Sequence, residues 1–244
     1  MEMWDQLCDG VFLAQGDCTR SLPQLPEGLA DYVIADPPYS SGAGTLAGVQ
    51  ASTRSKYAKG AGAPVLNFAG DAQDQFSLYR WSSWWLSDCY RVAKEGAICA
   101  VFTDWRQLRL MADAMQAAGW SFKGVAVWDK GNSRPQRGRY RQQAEFIVWG
   151  TKGTRSTKAG PVVPGVFTHT NVQGKARQHQ TQKPVALIQD LFRLIPDGGV
   201  VLDPFMGSGS AGEAALLMSR NLTYYGIELS PAYHHIATER LRSL

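Results

Sequence analysis

The stretch Tyr32–Tyr39 (YVIADPPY) joins an apolar run to an abrupt turn. Its first four residues are typical of a fully buried strand. Pro37 and Pro38 then end the strand and stiffen the turn. A buried strand of this kind predicts an open α/β sheet, in which ligands bind at the carboxyl ends of the strands. We therefore expect Asp36 and Tyr39 to lie at a ligand-binding edge.

The side chains of this turn suit chemistry on the amino group of a nucleobase. Such an amine is a poor nucleophile, because its lone pair is delocalised into the ring. The Asp36 carboxylate and the Pro37 carbonyl can each accept one amine hydrogen, which frees the lone pair. Tyr39 can stack on a base taken out of the helix. An ordinary Asp-capped turn with Tyr39 in the core is the alternative interpretation of these residues.

A second stretch, Val200–Gly212, has the order of strand, glycine-rich turn and helix. Gly207 and Gly209 permit close approach of the backbone to a ligand, and a helix start offers N–H groups. A further strand, Tyr224–Glu228, ends in a carboxylate that can accept both ribose hydroxyls of a nucleoside cofactor. Because the glycine spacing also matches the dinucleotide fingerprint, an NAD-dependent dehydrogenase is a formal alternative.

The two stretches together resemble the β-class amino-group DNA methyltransferases. Asp36–Tyr39 resembles the catalytic motif of that family, and Asp203–Gly212, which comes later in the chain, resembles its S-adenosylmethionine loop. This order is similar to the permuted arrangement of the β class, and the resemblance covers nearly the whole chain. It implies an α/β methyltransferase fold: a doubly wound, mostly parallel sheet of seven strands in the order 3-2-1-4-5-7-6, with one antiparallel hairpin strand.

The implied function is site-specific transfer of a methyl group from S-adenosylmethionine to adenine N6 in double-stranded DNA, by base flipping and direct displacement. An N4-cytosine enzyme is the alternative, since the family has Asp in the first motif position more often for adenine and Ser more often for cytosine. An RNA or protein amino-methyltransferase and a catalytically inactive DNA-binding protein are further alternatives. Asp rather than Asn at position 36 and the permuted order favour DNA.

The resemblance assigns roles to individual residues. The catalytic residues that it implies are Asp36, Pro37, Pro38 and Tyr39. The cofactor-binding residues that it implies are Asp17, Cys18, Asp36, Thr181, Gln182, Lys183, Asp203, Phe205, Gly207, Ser208, Gly209 and Glu228. Asp17 and Cys18 belong beside the adenine ring, Lys183 and Asp203 beside the methionine part, and Glu228 at the ribose.

Two of these assignments have simpler alternatives. Asp17 also fits a turn or helix-cap residue. Lys183 lies in a Thr-x-Lys-Pro element and is expected to meet a carboxylate, but it also fits an exposed lysine at a helix start. The family usually has His-Pro before the Thr, whereas this chain has His179-Gln180.

Topology gives an independent reason to place the N-terminal strand beside the cofactor. The C-terminal half supplies two nucleotide-binding strands, whereas a mononucleotide-binding half of a doubly wound sheet needs a third. Val11–Ala14 is the strand left to supply it. We therefore expect this strand to lie beside Tyr224–Glu228.

Basic residues are unevenly distributed along the chain. The net charge is +4, yet residues 130–183 contain eleven Lys or Arg and a single acid, Glu145. A local excess of this kind suits a polyanion, although a solvated basic loop is the alternative. The predicted DNA-binding residues are Arg54, Lys56, Arg134, Arg137, Arg139, Arg141, Lys175 and Arg177.

The chain length fits one methyltransferase domain over residues 1–244. Within it we expect a mobile lid loop at residues 40–70, because a polar connection of this length is usually functional or disordered. We also expect a basic hairpin loop at 130–142 and a short target-recognition region at 150–179.

Composition excludes several other classes. The four cysteines form no Cys-x-x-Cys pair and none follows a proline, so we expect no metal site and no covalent attack on cytosine C5. No apolar run is long enough to span a membrane, and the N-terminus lacks a signal-peptide pattern, so we expect a cytoplasmic protein of a bacterial or phage-infected cell. The resemblance also makes a homodimer and a separate restriction nuclease conceivable partners, besides double-stranded DNA.

Overall fold

A mixed sheet of nine strands forms the centre of the protein in a computed structural model that describes residues 4–38, 74–131, 135, 137–156, 160–171 and 182–244. The strands are β1 (Asp5–Cys8), β2 (Val11–Gln15), β3 (Ala30–Ala35), β4 (Ala93–Thr103), β5 (Ser121–Asp129), β6 (Ala144–Thr151), β7 (Val166–Thr168), β8 (Val200–Asp203) and β9 (Thr223–Glu228). The helices are α1 (Cys18–Ser21), α2 (Gln75–Val92), α3 (Leu108–Ala117), α4 (Val185–Phe192), α5 (Ser210–Leu217) and α6 (Pro231–Arg242).

The strand order is β1-β2-β9-β8-β3-β4-β6-β5-β7. Neighbouring strands from β2 to β4 are parallel, whereas β6 is antiparallel to both β4 and β5. The seven neighbouring strands β2-β9-β8-β3-β4-β6-β5 therefore have the order that the sequence predicts, including the antiparallel hairpin strand. The predicted α/β class is confirmed.

The predicted number of strands is too low, because two short strands extend the edges of the sheet. β1 pairs with β2 antiparallel, and β7 pairs with β5 in parallel. β7 falls in the predicted target-recognition region, so part of that region belongs to the sheet. Trp128 Nε1 donates to the His169 carbonyl at 2.7 Å, which attaches the residue after β7 to β5.

The two faces of the sheet carry separate cores, as a doubly wound fold requires. Side chains alternate along β3, so Tyr32 and Ile34 pack with α4, α5 and α6. Val33 and Ala35 point to the opposite face, where α1, α2 and α3 cover them. Burial on both faces explains why β3 is a continuous apolar run rather than an alternating one.

The N-terminal strand lies where topology predicts it. β2 pairs in parallel with β9, with Leu13 opposite Gly226 and Gln15 opposite Glu228. The predicted lid loop at residues 40–70 lies outside the described residues. Among the helices that the structure describes, none has the length and apolar character needed to cross a membrane.

Candidate active site

Four carboxylates lie at the carboxyl ends of four adjacent parallel strands. Asp17 follows β2, Glu228 ends β9, Asp203 ends β8 and Asp36 follows β3. The strands bring together residues from the N-terminal and C-terminal parts of the chain, at the edge where α/β sheets bind ligands. We call these residues the carboxylate row.

Lys183 holds Asp36, the first residue of the turn Asp36–Tyr39 that is predicted to be catalytic. We call this turn the catalytic turn. Lys183 Nζ donates to Asp36 Oδ1 at 2.8 Å and to Oδ2 at 2.7 Å. The lysine is buried although it directly precedes Pro184, the residue at the start of α4. The sequence predicted that Lys183 meets a carboxylate, and the structure shows that it meets those of Asp36 and Glu145 rather than lying exposed at the helix start.

The environment of Lys183 keeps its ammonium charged. Burial disfavours the charged form, but the nearby carboxylates of Asp36 and Glu145 outweigh this effect and raise the pKa of Lys183. Glu145 Oε2 lies 3.4 Å from Lys183 Nζ. Sequence reasoning assigned no role to Glu145, although its position as the single acid in a basic stretch was a usable signal.

Asp203 is a buried acceptor at the end of β8. Its Oδ1 accepts from the Phe205 amide at 3.0 Å, and its Oδ2 accepts from the Tyr224 hydroxyl at 2.9 Å. Burial raises the pKa of Asp203 to about 7, because it outweighs these two hydrogen bonds. The Phe205 side chain, in turn, packs against the rings of Trp81 and Trp85 on α2.

We expect Asp203→Asn to change the pH dependence of stability in the protein without ligand. The folded pKa is raised from 3.8 to about 7, so the folded state binds the extra proton and loses stability as the pH rises between these values. Asparagine cannot ionise and avoids this loss. From about pH 5 to about pH 8, the variant should gain on the order of 2 kcal/mol in unfolding free energy relative to the wild type.

Urea unfolding at several pH values measures this gain. Asp197→Asn provides the matched control, because Asp197 is 80% exposed and should leave the wild-type pH dependence unchanged. The same pH dependence in Asp203→Asn and the wild type would contradict the prediction.

The glycine-rich loop after Asp203 uses its two glycines differently. Both have positive φ, +56° at Gly207 and +82° at Gly209. A Cβ at Gly207 would meet open space, so this glycine leaves room beside the loop. A Cβ at Gly209 would lie 3.2 Å from the Cβ of Ala237, so this glycine allows the loop to pack closely on α6.

The guanidinium group of Arg240 in α6 stabilises the same loop. Its Nη1 donates to the Ser208 carbonyl and to Ser210 Oγ, both at 3.1 Å, and its Nε pairs with the Glu213 carboxylate. Ser208, a predicted cofactor-binding residue, is buried. Sequence reasoning missed Arg240, because nothing near it in the chain indicates that it contacts the loop.

Glu228 is held with its carboxylate at the end of β9. Its Oε2 accepts from the Gly207 amide and its Oε1 from the Ser230 amide, both at 2.8 Å. Each oxygen of a carboxylate has two acceptor positions, so both can also accept a ligand hydroxyl. Burial raises the pKa of Glu228 despite these hydrogen bonds.

Asp17 and Cys18 lie next to Glu228, across the β2–β9 pair. The Gly16 amide donates to the Glu228 carbonyl at 2.9 Å. Asp17 Oδ1 accepts from the Thr19 amide at 2.9 Å, so the simpler interpretation as a helix cap is correct for its side chain. Burial raises the pKa of the Cys18 thiol and so disfavours its nucleophilic thiolate form.

The predicted basic loop lies at the same edge of the sheet as Asp36. β5 runs in the direction of β4, since both are antiparallel to β6, and the loop leaves the carboxyl end of β5. Three of its predicted DNA-binding residues are described, and all three are exposed: Arg137, Arg139 and Arg141. The predicted site residues outside the described residues are Tyr39, Arg54, Lys56, Arg134, Lys175, Arg177 and Thr181.

The residues at this edge fit S-adenosylmethionine. Glu228 offers paired acceptors for a ribose, and the open side of Gly207 leaves space for a ligand beside it. Asp203, when ionised, adds a negative charge suited to a cationic ligand. The fold and these residues thus suit an α/β enzyme that binds a nucleoside cofactor, with Asp36 one strand away from the glycine-rich loop.

The chain belongs to the DNA methylase family of N6 and N4 methyltransferases, whose family model matches residues 30–239. It is 31% identical to the methylase YubD of Escherichia coli K12 over 232 residues, which are 94% of this chain and 89% of YubD. It is 26% identical to the type II methyltransferase M.HinfI of Haemophilus influenzae over 264 residues, which cover 95% of this chain and 68% of M.HinfI. The protein is an S-adenosylmethionine-dependent DNA methyltransferase that acts on an amino group.

Solved structures share the fold. The complex of M1.HpyAVI with S-adenosylmethionine has a TM-score of 0.67 at 22% identity, over 95% of this chain and 98% of that chain. The cytosine-N4-specific PvuII DNA methyltransferase has a TM-score of 0.70 at 15% identity, over 96% of this chain and 86% of that chain.

Proposed function

We propose that the protein methylates adenine N6 at specific sites in double-stranded DNA. The observation that carries this proposal is the Asp36 carboxylate, presented at the carboxyl end of β3 beside the Asp203 strand. The family has Asp at this position more often in adenine enzymes, which supports adenine over cytosine. DNA as substrate supports the cytoplasm of a bacterial or phage-infected cell as the place of action.

In this mechanism, the catalytic turn prepares the amine. Asp36 and the Pro37 carbonyl each accept one amine hydrogen, which draws the nitrogen towards tetrahedral geometry and frees its lone pair. Pro38 stiffens the turn and Tyr39 stacks on the flipped base. S-adenosylmethionine, when bound, supplies an electrophilic methyl group. Positioning and charge complementarity supply most of the rate, since no covalent enzyme intermediate is needed.

The cofactor would be held by residues along the carboxylate row. Glu228 accepts the ribose hydroxyls, Asp17 and Cys18 lie beside the adenine, and Asp203 faces the methionine end. Phe205, Gly207, Ser208 and Gly209 form the loop around the cofactor. Thr181, Gln182 and Lys183 would lie against its methionine part.

DNA would approach the edge that carries the basic loop. The exposed Arg137, Arg139 and Arg141 support this, because phosphate contacts by such residues position a protein on the duplex. The proposed lid at 40–70 and the target-recognition region at 150–179 would contribute the remaining contacts. The name of the relative M.HinfI, a type II methyltransferase, supports a restriction-modification role with a separate nuclease. Dimerisation rests on the family resemblance alone.

Sequencing of cellular DNA tests the target base. The protein would be expressed in cells without adenine methylation, and their DNA would be read by a modification-sensitive method. We expect N6-methyladenine in one short recurring context. N4-methylcytosine would leave the mechanism unchanged and identify cytosine as the target base. Cytosine is the second candidate because the protein shares its fold with the cytosine-N4-specific PvuII methyltransferase. No modified base in DNA would contradict the proposal.

A further inference from the structure

Four charged side chains of alternating sign follow one another along the edge of the sheet from the catalytic turn. Lys183 lies against both oxygens of Asp36 and 3.4 Å from Glu145 Oε2. Glu145 Oε1 pairs in turn with Lys130 Nζ. We call Asp36, Lys183, Glu145 and Lys130 the charge row.

The charge row is largely removed from water. Side-chain exposure is 26% at Asp36, 6% at Lys183, 17% at Glu145 and 18% at Lys130. Isolated charges at such depth are costly, so each member depends on its neighbours of opposite sign. The Phe102 ring, 5.0 Å from Lys183 Nζ, adds an aromatic face beside the ammonium.

Each member comes from a different element, so the charge row links the catalytic turn to the far half of the sheet. Asp36 follows β3, Lys183 precedes α4, Glu145 lies in β6 and Lys130 follows β5. The Lys130 amide also donates to the Gln143 carbonyl at 2.9 Å, which fixes the base of the hairpin.

We propose that Glu145 is a positioning residue for methyl transfer: it holds the Lys183 ammonium between two carboxylates and so limits how far that ammonium neutralises Asp36. The inference rests on the proposed function, in which Asp36 accepts a hydrogen of the target amine. A carboxylate engaged entirely by one ammonium is a weaker acceptor. Glu145 attracts the same ammonium from the other side, and Lys130 holds Glu145 in place.

The variant Glu145→Gln keeps the shape of the side chain and removes its charge. We expect kcat per cofactor-binding site to fall by about 10- to 100-fold, because Lys183 then lacks the opposing attraction of the Glu145 carboxylate. The KM for S-adenosylmethionine should stay within about threefold, since Glu145 lies outside the cofactor site. Glu145→Asp retains the charge and should recover part of the lost kcat.

Glu95→Gln is the matched control. Glu95 is exposed at the opposite edge of the sheet, where it accepts from the Thr154 amide, and its replacement should leave kcat unchanged. Cofactor binding measured by calorimetry gives the number of intact sites, so that kcat refers to folded protein.

The pH profile adds a readout that a purely structural role would not move. The groups facing Lys183 are Asp36 and Glu145, with Lys130 beyond Glu145 and Asp203 near Asp36. Removal of one carboxylate lowers the pKa of Lys183, so in Glu145→Gln the ammonium that neutralises Asp36 is lost at a lower alkaline pH than in the wild type. The kcat of the variant should therefore approach that of the wild type as the pH rises through this range.

Two outcomes would overturn the inference and leave the proposed function intact. One is a wild-type kcat in Glu145→Gln. The other is a smaller number of intact sites in this variant, with unchanged kcat per site and an unchanged pH dependence of activity at alkaline pH. Absence of methyl transfer to DNA by the wild-type protein would instead overturn the proposed function, and the inference with it.

Discussion

Replacing Asp36 with alanine is expected to abolish methyl transfer while S-adenosylmethionine still binds. The carboxylate is the proposed acceptor of an amine hydrogen, so its loss leaves the lone pair of the target nitrogen delocalised into the ring. We expect kcat to fall by about 1000-fold or more. The cofactor contacts proposed for Glu228 and the glycine-rich loop do not depend on Asp36, so the cofactor Kd should change little.

Transfer of a radioactive methyl group to DNA and calorimetry of cofactor binding measure the two parts of this prediction. Lys183 keeps Glu145 as a counterion in the variant, which limits the damage to folding. Asp113→Ala is the matched control, because Asp113 is half-exposed on α3 and pairs with Arg109 of the same helix. Turnover near the wild-type level in Asp36→Ala would contradict the mechanism.

The second large effect is expected at the other end of the carboxylate row. Glu228→Ala should weaken S-adenosylmethionine binding by about 100-fold, because two hydrogen bonds to a charged acceptor are lost. The same change leaves the amides of Gly207 and Ser230 without the carboxylate that holds them, which loosens the loop. The kcat at saturating cofactor should fall far less, since Glu228 contacts no reacting atom.

Calorimetric titration with the cofactor gives the Kd directly. Glu228→Gln retains one acceptor oxygen and should have an intermediate affinity. Glu239→Ala removes an exposed glutamate of α6 that pairs with Arg242, and should bind the cofactor as the wild type does. An unchanged Kd in Glu228→Ala would place the ribose elsewhere.

The central strands of the fold could be predicted because their signals are local. β3, β8 and β9 are apolar runs that end in an acid and a turn, so their carboxyl ends and the acids on them follow from the sequence. The edge strands β1 and β7 gave no such signal. β1 is mostly exposed, and β7 has only three residues, so their pairing depends on the strands they meet.

The contacts within the site could be predicted less well than its location. Lys183 was expected to meet a carboxylate, but Asp36 and Glu145 reach it only because β3, β6 and α4 converge. Arg240 supports the glycine-rich loop from α6, a helix that follows the loop in the chain only after α5 and β9. Such pairings depend on tertiary packing, which neither periodicity nor spacing encodes.

The carboxylate row has a consequence for turnover. A sulfonium carries a positive charge that disappears when its methyl group leaves, so the reactant is a cation at a position where the product is neutral. In the proposed binding mode, the ionised acids of this row therefore attract the spent cofactor less strongly than the fresh one. In that binding mode, the same side chains would favour both loading of the enzyme and release of the used cofactor after each cycle.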